Sequence, residues 1–138
     1  MTLKKTILCV DDEQSLSIHK LTLETRGYRV LGCQTAAEAI GLANRGSVDL
    51  VLTNTELPDG CSSELVTRVK QAADIPVVLL SPHRSLFHVD SPAELLLRKG
   101  TFTPAELLEH IRLLLVKRRG PRRLPTTPAG LEPQAQAS

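Results

Sequence analysis

Six polar side chains stand where apolar runs stop. Asp11, Asp12 and Glu13 follow Thr6-Ile7-Leu8-Cys9-Val10. Asn54 closes Leu50-Val51-Leu52-Thr53, Ser81 closes Ile75-Pro76-Val77-Val78-Leu79-Leu80, and Lys99 comes just after Leu95-Leu96-Leu97. Adjacent carboxylates are the ligands a hard divalent cation takes. An ammonium and a hydroxyl can both donate hydrogen bonds to an anion. The asparagine is the odd member. Its nitrogen lone pair is delocalised into the carbonyl, its oxygen is a poor nucleophile, and it carries no charge, so it cannot open a covalent step as a carboxylate can.

The elements that must position these groups read from the pattern between them. The apolar runs are short and uniformly aliphatic, as strands buried on both faces are. Strands are expected at residues 6–10, 28–33, 50–52, 75–80 and 95–97. Between them, residues 15–26 form a helix ended by Gly27, residues 36–43 an alanine-rich helix, and residues 63–73 a helix capped by Ser62 or Ser63 after the Pro58-Asp59-Gly60 turn. Thr103-Pro104-Ala105-Glu106 is a helix start with an N-cap, a proline at the first position and a capping-box acid, and that helix runs to Lys117. From Pro82 to Pro92 the pattern weakens and a full helix is not expected. Strands alternating with helices imply a parallel sheet covered on both sides, which binds its ligands beyond the carboxyl ends of the strands. Asp11, Asp12, Glu13, Asn54, Ser81 and Lys99 therefore converge on one mouth.

These motifs, in this order, resemble the receiver domains of two-component signalling. Val10-Asp11-Asp12-Glu13 is similar to the acidic motif of that family. Asp49-Leu50-Val51-Leu52-Thr53-Asn54-Thr55-Glu56-Leu57-Pro58-Asp59-Gly60 looks like its phosphorylation loop, Ile75 to Ser81 like its fourth strand with the switch hydroxyl, and Lys99 with Thr103-Pro104-Ala105-Glu106-Leu107 like its lysine and last helix. The resemblance spans roughly residues 5–117. It implies a flavodoxin-like, doubly wound, five-stranded parallel sheet in the order 2-1-3-4-5, with the fourth helix short or degenerate. It also implies roles. Asp12 would be the direct ligand of magnesium, Asp11 would act through water, and the main-chain carbonyl of Glu56 would complete the set. Lys99 would pair with phosphate and Ser81 would be the switch.

Where the family places its phosphate-accepting aspartate, this chain has Asn54. Leu96 replaces the usual aromatic switch residue, Gly100 replaces the proline after the lysine, and the Ser81-to-Lys99 interval is short. The expectation is a single-domain response-regulator-like protein: a phosphorylation-independent pseudo-receiver acting through protein–protein binding. Its partner would be a histidine kinase or another signalling protein. No catalytic residue is assigned and no cofactor is required. Magnesium is the one candidate, weakened by the missing charge. A phosphorelay regulator accepting phosphate at Glu56, Ser81 or a deamidated Asn54 is the alternative. A small metal-dependent enzyme built on the same fold would lack a nucleophile and a phosphate-cradling glycine loop.

Composition agrees. The 138 residues and 15.1 kDa suit one domain with an aliphatic core, since there is no Trp, one Tyr and two Phe. A receiver-like domain is expected over residues 1–118 and a disordered, proline-rich basic tail over 119–138. The net charge of +2 is uneven. Lys117, Arg118, Arg119, Arg122 and Arg123 against Glu132 leave the rest of the chain mildly acidic. Such a tail would contact polyanions weakly and without sequence preference. Cys9, Cys33 and Cys61 match no zinc or redox spacing, Cys9 and Cys33 reading as buried and Cys61 as an exposed thiol. Their odd number without a leader, and the lack of a long apolar run, point to the cytoplasm and away from a membrane. His19, His83, His88 and His110 show neither triad nor metal spacing and are expected to be surface or half-buried residues.

Overall fold

The computed structural model of the chain describes residues 4–82 and 92–117. Eleven elements follow one another within them: β1 (Thr6–Val10), α1 (Glu13–Glu24), β2 (Arg29–Cys33), α2 (Ala36–Ala43), β3 (Leu50–Asn54), β4 (Glu56–Leu57), β5 (Gly60–Cys61), α3 (Ser63–Ala72), β6 (Val77–Ser81), β7 (Leu95–Arg98) and α4 (Pro104–Lys117). Five strands form one sheet in the order β2-β1-β3-β6-β7, every neighbouring pair parallel. This is the doubly wound, flavodoxin-like arrangement expected, the second strand at one edge and the fifth at the other. The expected site of a degenerate fourth helix, residues 83–91, and the tail lie outside the described residues.

Alternation along each strand explains why the apolar runs carry no polar phase. Leu8, Val10, Val51, Val77 and Leu79 point to one face, where they meet Ala39, Ala43, Leu65, Val66 and Val69 of α2 and α3. Ile7, Cys9, Leu50, Leu52, Val78 and Leu80 point to the other, against Leu23 of α1 and Leu107, Ile111 and Leu115 of α4. Each fully buried aliphatic side chain contributes about 1.5–3 kcal/mol. Both layers are thus needed to hold the sheet. Among the described residues no helix is long and apolar enough to cross a membrane.

Local chemistry sets the boundaries, and several differ from the sequence expectation. α1 starts at Glu13 rather than Ser15, because the Asp12 carboxylate accepts from Ser15 N at 2.8 Å and caps it. It ends at Glu24, two residues early, and the chain leaves through Gly27 at φ +90°, a conformation a side chain disfavours. α2 matches its expected span. Thr35 Oγ1 accepts from Glu38 N while the Glu38 carboxylate accepts from Gln34 N. Ser62 precedes α3 but makes no side-chain cap, and its N–H instead donates to Thr55 O. Ile75 and Pro76 stay outside β6, although Pro76 still accepts from Val51 N at 3.0 Å. α4 keeps the capping box read from sequence: Thr103 Oγ1 accepts from Glu106 N, and Glu106 Oε1 accepts from Thr103 N.

Two features were not read from the sequence. The Pro58-Asp59 turn joins a small antiparallel pair, β4 with β5. Glu94 ties three elements together. Its Oε1 accepts from Val77 N at 2.8 Å, its own N–H donates to Val77 O, and its other oxygen pairs with Lys70 of α3.

Candidate functional site

The carboxyl ends of β1, β3, β6 and β7 meet at one rim, and the chemistry there centres on Asp11. β1 delivers this residue directly from the core, so its carboxylate is almost sealed, with 1% of the side chain exposed. A buried carboxylate must be met by donors. Asp11 Oδ1 accepts from Asp12 N at 2.8 Å and from Asn54 Nδ2 at 3.0 Å, and Oδ2 accepts from Lys99 Nζ at 2.9 Å. His19 Nε2 stands 3.6 Å from Oδ2, within ion-pair range but beyond a hydrogen bond. Burial by itself raises the carboxyl's pKa. The opposing pull of His19, Lys99, Asn54 and Asp12 N is larger and holds it well below the usual carboxylate range.

Asn54 ends β3 beside Asp11, and both ends of its amide are engaged. Nδ2 donates to Asp11, and Oδ1 accepts from Glu56 N at 3.1 Å. This pattern sets the orientation of the amide, since the reverse would face two acceptors together. Around it Thr55 N donates to Leu80 O and Ser62 N to Thr55 O, so the loop after β3 is stitched to β6 and to the start of α3.

Of the residues singled out by sequence, the structure brings Asp11, Asn54 and Lys99 into contact. Asp12 is exposed, and its carboxylate serves the N-terminus of α1. Glu56 is exposed in β4, paired in register with Cys61, and reaches Asn54 through its main-chain N–H. Ser81 is the buried last residue of β6, and its carbonyl accepts from Lys99 N at 2.8 Å. Leu96 is half-buried in the edge strand β7, against the α2–α3 side of the core. Gly100 turns the chain away from Lys99 at φ +86° and, with Pro82, Arg98, Lys99 and Thr101, borders a cavity of about 290 Å³.

Magnesium prefers an octahedron of oxygens. Asp11 already accepts from three donors, the Asp12 carboxylate is turned to Ser15, and Asn54 presents its NH₂ rather than its oxygen to Asp11. The donor set as arranged does not fit a hard divalent cation. Among the described residues no group of three or more His, Cys, Asp or Glu side chains could hold a metal.

Two residues of the site were missed. His19 was read as an ordinary surface or half-buried histidine. It lies seven residues after Asp12, so two helical turns return it to the face that looks at β1, and its side chain is 12% exposed. That spacing was the available signal. Asp59, read only as a turn residue, accepts from Ala36 N at 3.0 Å and Ala37 N at 3.1 Å, and so ties the turn of the β4–β5 pair to the N-terminus of α2. No local pattern announces a contact between segments that far apart.

Comparison with known proteins places this rim in context. The family described as "Response regulator receiver domain" matches residues 7–112. The transcriptional regulatory protein VxrB of Vibrio cholerae is 34% identical over 117 residues, covering 81% of this chain and 46% of that protein. The transcriptional regulatory protein CpxR of Klebsiella pneumoniae is 30% identical over 129 residues, covering 90% of this chain and 55% of that protein. The chain thus spans about half the length of these two relatives. Among solved structures, a CheY-like response regulator receiver domain protein from Methanospirillum hungatei superposes with a TM-score of 0.76 at 28% identity, covering 83% of this chain and 96% of that one.

Proposed function

The chain belongs to the response regulator receiver domain family, and we propose that it works as a phosphorylation-independent receiver, a signalling module that acts by binding a protein partner. Asn54 carries this reading. At the end of β3, where the family resemblance puts the phosphate acceptor, stands an amide with both polar atoms engaged, Nδ2 by Asp11 and Oδ1 by Glu56 N. A carboxylate there could attack phosphorus and form an acyl phosphate; a delocalised amide cannot. Lys99, which would steady a transferred phosphoryl group, is drawn onto Asp11. The resulting Lys99–Asp11–Asn54 arrangement acts as a fixed strut between β1, β3 and the end of β7. It holds the rim in one state in place of two.

On this reading the chain catalyses no turnover, and its output is the surface it presents. The partner is of the kind the family implies, a histidine kinase or another signalling protein. The test is to incubate the full chain with acetyl phosphate and magnesium and to weigh it intact. An unchanged mass is expected. Stoichiometric gain of one phosphoryl group overturns the reading, and mapping the modified peptide then identifies the acceptor, with Glu56 and Ser81 the residues to inspect.

A further inference from the structure

We propose that the cavity between the end of α1 and α4 binds a small organic anion, a flat apolar body carrying a carboxylate or phosphate head. Its volume is about 390 Å³, within the range of small-molecule sites, and Arg26, Tyr28, Ala105, Leu108, Glu109 and Arg112 line it. Arg26 and Tyr28 stand just before β2, at the opposite end of the sheet from the rim, and none of Asp11, Asn54 and Lys99 takes part. Residues 105, 108, 109 and 112 recur at the spacing of one helix face. That face of α4 lies beside the row of Leu107, Ile111 and Leu115 that packs on the sheet. On the other side, main-chain hydrogen bonds fix the turn that carries Arg26 and Tyr28. Arg26 N and Tyr28 N donate to Leu23 O, and Gly27 N donates to Glu24 O.

The lining divides by chemistry. Leu108 and Tyr28 are half-buried against the core layer beneath α1 and α4, and with Ala105 they form an apolar wall. The exposed polar members are two guanidinium groups and one carboxylate, so one positive charge is left over. Glu109 grips Arg112 twice, Oε1 accepting from Nε at 3.1 Å and Oε2 from Nη2 at 2.7 Å. The grip holds the guanidinium in place and uses two of its five N–H donors. Arg26 has no side-chain hydrogen bond or ion pair among the described residues. Burial pushes the Tyr28 phenol up, against the pull of Arg112, so its O–H stays a donor. A guanidinium matches a carboxylate or phosphate with paired hydrogen bonds, and an aromatic wall takes a flat ring. A bare inorganic anion would leave the apolar wall wet, and a neutral ring would leave Arg26 unused.

Tyr28 is the one tyrosine of the chain, so NMR signals from ring-labelled tyrosine report this cavity alone. The full chain is titrated with naphthyl phosphate, naphthoate, neutral naphthalenemethanol and inorganic phosphate, and calorimetry gives the affinities. Both aryl anions should shift the Tyr28 signals saturably, with a dissociation constant on the order of 1 mM or below for ligands of that size. The tighter of the two names the head group. The neutral alcohol and inorganic phosphate should each bind at least about tenfold more weakly. Arg26→Gln should weaken the aryl anions about tenfold, the loss of one hydrogen bond to a charged group. Arg45→Gln makes the same charge change just after α2 and should leave the affinity unaltered. Ala105→Phe, at an exposed position, fills the cavity with both arginines kept and should abolish binding.

Tyr28 signals that stay still with both aryl anions, at tenfold the expected dissociation constant, overturn the proposal. Equal binding of the neutral alcohol or of inorganic phosphate overturns it too, because head and ring would then not be read together. So does equal weakening by Arg26→Gln and Arg45→Gln, which would make the attraction a property of the whole basic chain. Undiminished binding to a folded Ala105→Phe puts the ligand elsewhere. Urea midpoints are compared with wild type throughout, and the exposed Arg26→Gln keeps the test decisive should Ala105→Phe unfold.

Discussion

Asn54→Asp tests the electrostatics of the rim directly through its effect on folding. The wild-type amide donates to Asp11 Oδ1 at 3.0 Å. Replacing it by a carboxylate removes a hydrogen bond to a charged group, a loss of about 1.5–3 kcal/mol. It also sets two anions side by side. At a separation of about 4 Å and an effective dielectric of about 20, they repel by about 4 kcal/mol. Lys99, already 2.9 Å from Asp11, can bridge both carboxylates and offsets much of the repulsion. The net expectation without divalent ions is a destabilisation of about 3 kcal/mol near pH 7, roughly a hundredfold in the folding equilibrium.

The pH dependence identifies the cause. The neighbouring anion and burial raise the folded-state pKa of the introduced carboxyl above its unfolded value. Its penalty is therefore absent below the unfolded pKa and grows as pH rises through the folded one. When protonated it can donate to Asp11 much as the amide does. Urea unfolding of variant and wild type should show a lowered midpoint at an unchanged slope near pH 7, with the gap shrinking to less than half near pH 4.5. A variant as stable as wild type at pH 7 refutes the reasoning. So does a loss of the same size at both pH values, because charge would then not be responsible.

Three further outcomes are expected. Asp59→Asn weakens the tie between the β4–β5 turn and α2, so hydrogen exchange at Ala36 and Ala37 should speed up; because those two N–H groups hold the Asp59 carboxyl below its usual range, the protection they share is present above the carboxylate range and lost as pH falls through it. Thr103→Ala removes one half of the capping box of α4 and should cost about 1 kcal/mol in urea unfolding. Burial pushes the Cys9 thiol up to about 12 and the Cys33 thiol up to about 11, so peptide mapping after alkylation near pH 8 should find both unmodified in the folded chain and modified in urea. The same shifts make stability fall as pH rises past the ordinary thiol range, because the unfolded thiols ionise first.

Much of this molecule was legible before any coordinates. Uniform aliphatic runs such as Leu50-Val51-Leu52 and Val77-Val78-Leu79-Leu80 report burial on both faces, and burial on both faces means a parallel sheet under two helical layers. The start of α4 was also readable, since its capping box closes within four residues. Even the convergence of Asp11, Asn54 and Lys99 followed from the rule that polar residues after parallel strands share one rim.

The pairing of those groups was decided only in three dimensions. Asn54 and Asp11 are 43 positions apart, Lys99 and Asp11 are 88 apart, and nothing local tells which oxygen takes which donor. Sequence set Asp11 and Asp12 side by side at the end of the first strand. The fold buries one among four nitrogens and leaves the other in solvent to cap α1. It also turned His19 inward and sent Asp59 across to α2. Periodicity and caps are recorded in neighbouring residues. The partner of a buried charge depends on which segments the packed sheet and helices bring within about 3 Å, and hydrogen bonds act only over that range.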